Sequence, residues 1–286
     1  TENDKTHLKL IALGQSINIS IIDLTSNRKS LILPKKQILS DFVSTDIAFD
    51  GDHKLFISAI STNGKGRIFE ASLETKKIVN DWSPNAFLPE RLAFGNNLLA
   101  VADKKIALFD LNGSSAILRN VFKGHLNKIS SLEMSEDGKL IISSSSHMKE
   151  HEAMLWSAES RSTEPFSILQ CTFPINLAIL KNAENPKIKN DEKKSLTSLT
   201  VNEDGSASLF WLNFKNGFVQ KRSNPIFKLK LSKGRIVFGD LFDRKVVLLT
   251  KNGSFFSVEK FVFEKIKLEN GQIAKRKRNN FGQNLR

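Results

Sequence analysis

The sequence predicts an all-β fold built from a repeated unit, and three observations support this prediction. Tight-turn dipeptides are frequent, short β-branched and aromatic runs lie between them, and no long amphipathic helix is evident. Asn-Gly and Asp-Gly pairs accept the positive φ angles of hairpin turns at little steric cost. Eight of the fifteen glycines follow Asn or Asp, namely Gly51, Gly64, Gly113, Gly138, Gly205, Gly217, Gly253 and Gly271.

One pattern recurs along the chain: a turn residue, an alternating strand, and a bulky residue that closes the strand. The closing residues are Ile22, Phe69, Phe109, Trp156, Phe210 and Val258, with spacings of 47, 40, 47, 54 and 48 residues. A period of about 40 to 50 residues with several strands in each period indicates the blades of a β-propeller. A β-sandwich, the alternative, would contain similar strands without this regular return.

Six such units can be traced, at about 7–37, 41–83, 85–123, 124–172, 173–231 and 234–272. We therefore expect a propeller domain over 1–272 and a basic tail over 273–286. The polar, Lys-rich stretch 181–194 in the fifth unit is expected to be an exposed loop. Seven blades are expected in the intact domain, the seventh coming from sequence before Thr1 or from a swapped strand.

One segment carries a family resemblance. Phe122-Lys123-Gly124-His125, followed by Ile129 to Leu132 and by Ser135 to Ser143, resembles a WD repeat that closes at Trp156-Ser157. The resemblance implies that His125 and Trp156 are structural blade residues, the first and last members of a buried hydrogen-bonded network. The Asp position of that network is disrupted here, because the longer loop 146–152 replaces the usual short turn. Asp103 to Asp110 resembles the closing part of another repeat, with Asp103 as a structural blade residue.

The run from Phe122 to Trp156, and more weakly the run from Leu196 to Trp211, is similar to the WD-repeat proteins of the t-UTP group of the small-subunit processome. The similarity is greatest to the single-propeller subunit of that group. It implies a non-catalytic nucleolar scaffold that acts in pre-rRNA transcription and processing. Its partners would be other WD-repeat or helical proteins of a large nuclear complex, with pre-ribosomal RNA as a further candidate. The alternative is a protein-protein interaction platform in another nuclear complex, such as chromatin or ubiquitin-ligase machinery.

The charge distribution also favours a polyanionic or nuclear partner. Residues 1–204 carry 25 basic and 25 acidic side chains, whereas residues 205–286 carry 18 basic and 5 acidic ones. The whole net charge of +13 therefore belongs to the last 82 residues. Clustered cations attract phosphate, although a solvated surface on a Lys-rich protein would have the same composition.

Two basic segments in this region are candidate sites. Lys275, Arg276, Lys277 and Arg278 form a candidate import signal, because four adjacent cations repel one another and stay extended. The alternative is a solvated tail. Candidate contacts to RNA or to an acidic partner are the seven cations of the acid-free strip 205–239, namely Lys215, Lys221, Arg222, Lys228, Lys230, Lys233 and Arg235. Phe214, Phe218 and Phe227 interleave with them and could stack on unpaired bases, although core packing is the commoner role for phenylalanine.

The sequence predicts no enzyme, no cofactor and no small-molecule substrate. It contains no phosphate-binding loop, dinucleotide fingerprint or nucleophile elbow. His147-Met148-Lys149-Glu150-His151 fits the His-x-x-Glu-His zinc-protease pattern, but that chemistry needs a helix, and this segment lies between two expected strands. A hydrolase using His147, Glu150 and His151 is kept as a third hypothesis. No apolar run is long enough to span a membrane.

Overall fold

The computed structural model describes residues 9–13, 19–23, 28–31, 41–113, 115–171, 175–183, 195–202, 206–212, 222–223, 227–230, 236–242, 245–250 and 255–258. Within these ranges the chain forms 23 β-strands and no helix. The strands assemble into six largely antiparallel sheets, which follow one another in chain order. Apart from residues 222–223, each sheet lies inside one of the six units traced from the sequence. The prediction of an all-β fold is confirmed.

The first three sheets use the strands up to residue 122. The first contains β1 (Lys9–Leu13), β2 (Ile19–Asp23) and β3 (Arg28–Leu31). The second contains β4 (Phe42–Phe49), β5 (Lys54–Ser61), β6 (Gly66–Ser72) and β7 (Lys77–Trp82). The third contains β8 (Arg91–Gly95), β9 (Leu98–Ala102), β10 (Ile106–Asn112) and β11 (Ser115–Phe122).

The last three sheets follow the same order. The fourth contains β12 (Ile129–Met134), β13 (Leu140–Ser145), β14 (Glu152–Ser157) and β15 (Ser167–Gln170). The fifth contains β16 (Ile175–Ala183), β17 (Ser195–Asn202) and β18 (Ser206–Leu212). The short β19 (Arg222–Ser223) follows in the chain but belongs to the fourth sheet as its fifth strand, and β20 (Phe227–Lys230) then completes the fifth sheet. The sixth contains β21 (Ile236–Phe242), β22 (Lys245–Thr250) and β23 (Phe255–Val258).

Successive sheets contact each other mainly through their first strands, which are β1, β4, β8, β12, β16 and β21. The later strands of each sheet then lie progressively farther from these first strands. This radial order, in which each small sheet packs against the next along the chain, is that of propeller blades.

Apolar runs on the middle strands are explained by packing on both faces. In β9, Leu98, Ala100 and Ala102 belong to the core shared with the fourth sheet. The intervening Leu99 and Val101 belong to the core shared with the second sheet. Because successive side chains of a strand point to opposite faces, a strand covered on both sides must be apolar throughout.

The turns behave as the Asn-Gly and Asp-Gly pairs predict. Four of those eight glycines lie among the described residues, and all four have positive φ: Gly51 at 88°, Gly64 at 78°, Gly113 at 63° and Gly138 at 71°. One further turn of the same kind has no glycine at its two central positions and is not marked by an Asn-Gly or Asp-Gly pair in the sequence. Asn96 and Asn97 connect β8 to β9 with φ of 46° and 61°, because asparagine tolerates the left-handed region without being glycine.

The fifth unit differs in part from its prediction. Residues 181–183, expected to begin an exposed loop, extend β16 and pair with Ser195 to Thr197, while 184–194 lie outside the described residues. The extension forms because the partner strand β17 starts early enough to continue the ladder. Farther along, β19 pairs in parallel with β15, so the chain returns to the outer edge of the fourth sheet before it completes the fifth.

Candidate functional site

Neighbouring sheets are joined by polar side chains at the bulges of their first strands. The ladder of β4 shifts between Ser44 and Asp46, and the Thr45 hydroxyl donates to the Pro89 carbonyl oxygen at 2.5 Å. Asp46 Oδ2 accepts from the backbone N–H of Leu92 at 2.9 Å. A bulge aims side chains in directions that a regular strand would not allow. The bulge therefore points two polar groups at the next sheet.

The same joint recurs between the fourth and fifth sheets. The ladder of β12 shifts between Ile129 and Ser131, and the Ser130 hydroxyl donates to the Ile175 carbonyl oxygen at 3.2 Å. Ser131 Oγ accepts from the backbone N–H of Ala178 at 3.0 Å. Ser130 thus takes the place of Thr45, and Ser131 the place of Asp46. The recurrence shows that these groups hold adjacent sheets in register.

A second polar cluster lies inside the fourth sheet and contains both residues that the WD resemblance singled out there. Trp156 Nε1 donates to Ser143 Oγ at 2.8 Å, and the same oxygen lies 2.8 Å from His125 Nε2. His125 Nδ1 lies 2.6 Å from Glu150 Oε1. Nδ1 donates to the Glu150 carboxylate, which can only accept, and Nε2 shares a hydrogen bond with the Ser143 hydroxyl. His125, Ser143, Glu150 and Trp156 will be called the blade-four network.

Glu150 supplies the carboxylate at the position of the network where a WD repeat would have an aspartate. Its Oε1 also accepts from the backbone N–H of Leu126 at 3.3 Å, and its Oε2 accepts from Asn127 Nδ2 at 3.2 Å. The extra length of the 146–151 loop and the longer side chain together bring a carboxylate to the ring of His125. The loop therefore replaces the missing group rather than abolishing the network.

The electrostatics of Glu150 follow from these partners. Burial alone would raise the pKa of the carboxyl, but hydrogen bonds from His125, Asn127 and Ser145 and the charge of His125 lower it to about 2. Asp46, also buried, shows the opposite direction: desolvation raises its pKa, and the Leu92 hydrogen bond and Arg91 offset this only in part. Glu150 is thus held ionised, whereas burial opposes ionisation of Asp46.

Glycine at position 124 is required by the closeness of Trp156. A Cβ built on Gly124 would lie 2.8 Å from the Trp156 ring, a distance that real side chains do not tolerate. The Phe122 ring packs on the same indole with centroids 5.6 Å apart. The Gly-His pair of the repeat therefore has two separate causes, close packing for the glycine and hydrogen bonding for the histidine.

Asp103 organises the turn between β9 and β10 in the third sheet. Its Oδ1 accepts from the backbone N–H groups of Lys104 and Lys105, the latter at 2.9 Å. Its carbonyl oxygen accepts from the backbone N–H of Ile129 at 2.6 Å, at the start of the fourth sheet. Asp103 thus shapes its own turn and connects that turn to the next blade.

The His-x-x-Glu-His segment lies on a loop and not on a helix. Glu150 is buried and bonded to His125, His151 Nε2 donates to the Met148 carbonyl oxygen at 2.9 Å, and His147 Nδ1 accepts from the Lys149 backbone N–H at 3.3 Å. Within the part of the chain that the structure describes, no group of three His, Cys, Asp or Glu residues could hold a metal ion. The arrangement differs from a zinc-protease helix, in which the two histidines share a face.

The candidate basic contacts fall on different elements. Arg222 lies in β19 at the edge of the fourth sheet, opposite Ile168, whereas Lys228 and Lys230 lie in β20 of the fifth sheet, opposite Ser208 and Ser206. Lys215, Lys221, Lys233 and Arg235 lie outside the described residues, as do Lys275, Arg276, Lys277 and Arg278. No helix among the described residues is long and apolar enough to cross a membrane.

Comparisons with known proteins identify the fold. No protein-family model and no curated protein matches the chain. Among solved structures, 991 chains match, so the likeness is widely shared and concerns the fold alone. One of them is a chain of the "Crystal Structure of Mitotic Checkpoint Complex", with 10% sequence identity, a TM-score of 0.54, and coverage of 87% of this chain and 86% of that chain. The protein is an all-β molecule with a β-propeller fold of the WD-repeat type, as the sequence predicted.

Proposed function

We propose that this propeller is a non-catalytic scaffold that docks other proteins. The observation that carries the proposal is the closed blade-four network. Both ring nitrogens of His125 have partners, and Glu150 accepts hydrogen bonds at both carboxylate oxygens. His125 and Glu150, the described side chains that most resemble a catalytic pair, therefore use their hydrogen bonds to stabilise the blade. Propellers of this type typically serve as rigid platforms, and the solved neighbour comes from a multi-protein complex.

The finer proposal is a subunit of a nucleolar ribosome-assembly complex that acts in pre-rRNA transcription and processing. It rests on the motif resemblance of the runs 122–156 and 196–211 to WD-repeat proteins of the t-UTP group of the small-subunit processome, and on the basic surplus of 13 carried by residues 205–286. A candidate import signal at Lys275–Arg278 supports a nuclear and nucleolar location. The competing proposal is a platform in chromatin or ubiquitin-ligase machinery, which the same fold and charge would serve.

Crosslinking mass spectrometry on the complex purified from cells tests this proposal. We expect crosslinks to other WD-repeat or helical nucleolar proteins, together with recovery of precursor ribosomal RNA. A partner set restricted to the cytoplasm would overturn the nuclear role, and chromatin or ubiquitin-ligase partners would select the competing platform. As a control for the import signal, alanine at Lys275, Arg276, Lys277 and Arg278 should remove nuclear accumulation, whereas alanine at Lys104, Lys105, Lys123 and Lys149 should not.

Zinc content separates the scaffold from the hydrolase alternative. The purified protein should contain no stoichiometric zinc by elemental analysis, because His147 and His151 are not presented as a metal pair. One zinc per chain that is lost in a His147→Ala, His151→Ala variant would instead support the hydrolase.

A further inference from the structure

Two of the most exposed apolar side chains in the described chain lie on loops that meet. Leu126 is 78% exposed and Met148 is 80% exposed. Their loops, 123–128 and 146–151, lie at the same end of the fourth sheet and are joined where Glu150 Oε1 accepts from the backbone N–H of Leu126. The turn 103–105 lies at this end too, through the hydrogen bond from Ile129 N–H to the Asp103 carbonyl oxygen. Residues 103–105, 123–128 and 146–151 will be called the Met148 rim.

The Met148 rim is held in place from beneath. The backbone N–H of Glu150 donates to the His147 carbonyl oxygen at 2.8 Å, and His151 donates to the Met148 carbonyl oxygen at 2.9 Å. The Glu150 side chain meanwhile reaches down into the blade-four network. The loop backbone is therefore closed on itself around Met148, whose side chain points outward. Apolar groups presented on an ordered backbone lose little conformational freedom when a partner binds.

The charge of the rim is positive. Lys104, Lys105, Lys123 and Lys149 are exposed, and none of them forms an ion pair with a carboxylate of the described residues. The acidic side chains at this end are already engaged. Asp103 binds backbone N–H groups of its own turn, Glu150 belongs to the network, and Glu152 accepts from Gln170. A partner with negative charge would therefore meet unpaired cations.

We propose that the Met148 rim binds an acidic segment of a partner protein that inserts apolar side chains between Leu126 and Met148. This inference deepens the scaffold function and rests on it. Methionine and leucine provide apolar anchors, and the four lysines provide complementary charge. A protein segment is favoured over RNA because Leu126 and Met148, the exposed apolar side chains of the rim, are aliphatic and have no ring face on which a base could stack.

Methyl NMR of the whole chain labelled at methionine tests the proposal. The chain has three methionines, of which Met134 and Met154 are buried at 6% exposure and serve as internal controls. The probes are a synthetic peptide that alternates Glu with Leu, a matched peptide with Ser in place of Leu, and oligouridine. We expect the Met148 methyl resonance to shift and saturate with the Glu-Leu peptide alone.

Variants make the result specific. In fluorescence anisotropy, Leu126→Ser with Met148→Ser should weaken the Glu-Leu peptide about tenfold or more, and Val79→Ser, a 54% exposed residue of β7, should leave its affinity unchanged. An unmoved Met148 methyl resonance, equal binding of both peptides, or a shift caused by oligouridine instead would each overturn the proposal.

Complexes purified from cells separate the scaffold function from binding at the Met148 rim. If the nucleolar partners are still recovered with the Ser variants, the scaffold function is retained but the Met148 rim is not the surface that binds them. If the Glu-Leu peptide binds but no nucleolar partners are recovered from cells, the ribosome-assembly role is refuted and binding at the rim is retained.

Discussion

His125 and Glu150, 25 positions apart in the sequence, meet at 2.6 Å inside the fourth sheet. Glu150 comes from a loop and His125 from the connection between two sheets, so their contact exists only when the blade is assembled. The contact links an internal hydrogen-bonded network to the outer rim. Its energetic consequences can be tested residue by residue.

Truncation of Glu150 should destabilise the propeller. Glu150→Ala leaves the His125 Nδ1–H, the Leu126 N–H and the Asn127 amide without their acceptor, and we expect a loss of about 2–4 kcal/mol in the free energy of unfolding. Urea denaturation measures it. Glu159→Ala, which removes a 64% exposed side chain paired with Lys139, should cost less than about 0.5 kcal/mol. Equal losses in the two variants would contradict the role assigned to the network.

Removal of the Ser143 hydroxyl should have a comparable effect at the other end of the network. Ser143→Ala leaves both Trp156 Nε1–H and His125 Nε2 unpartnered in a buried site, which should cost about 1–3 kcal/mol. Ser146→Ala, a half-buried serine on the neighbouring loop, is the matched control. Because Ser143 and Glu150 bind the same ring, their losses should not add in the double variant. Full additivity would show that they act separately.

Acid should remove the contribution of Glu150. Its pKa is about 2 in the folded protein and near 4.5 without the fold, so its ionised form stabilises the native state above pH 4.5. That stabilisation should be lost as the pH falls from 4.5 toward 2. The difference in unfolding free energy between the native sequence and Glu150→Gln should therefore shrink over this window. A difference that stays constant from pH 6 to pH 3 would refute the lowered pKa.

Asp46 should show the opposite dependence. Burial raises its pKa above 3.8, so its contribution is fully present below that pH and is lost as the pH rises through the folded value. Asp46→Asn retains an oxygen that can accept from Leu92 N–H and removes the buried charge. Thermal melts should therefore show the Asn variant gaining relative to the native sequence between pH 4 and pH 8. Asp46→Leu, which has no acceptor for the Leu92 N–H, should be destabilised at both pH 4 and pH 8.

Salt titration distinguishes the basic strip from the Met148 rim. If the strip binds RNA, the affinity for oligouridine should fall steeply as the salt concentration rises. Alanine at Lys221, Arg222, Lys228 and Lys230 should then reduce the slope of log affinity against log salt concentration by roughly 0.7 for each phosphate that is no longer neutralised. Alanine at Lys104, Lys105, Lys123 and Lys149 removes the same charge from the rim and should leave that slope in place. An unchanged slope in the first variant would assign the strip to protein contact or to solubility.

The blade-four network was only partly predictable from the sequence. The Gly124-His125 pair and Trp156 lie at spacings typical of a WD repeat, and they indicate two members of a network. Glu150 could not be predicted as the carboxylate, because it stands in an irregular loop inside a misleading His-x-x-Glu-His pattern. The joints at Thr45 and Ser130 were missed because a bulge is not visible as a break in alternation until the partner strand is known.

Local chemistry along the chain determined the strands, the tight turns and the recurring unit, because backbone preferences and alternation act within a few residues. The tertiary structure alone decided which polar groups meet: Glu150 with His125, Asp46 with the next sheet, and β19 with the edge of an earlier blade. These contacts join residues that are distant in sequence. Their partners are chosen by how the sheets pack, and no local preference contains that information.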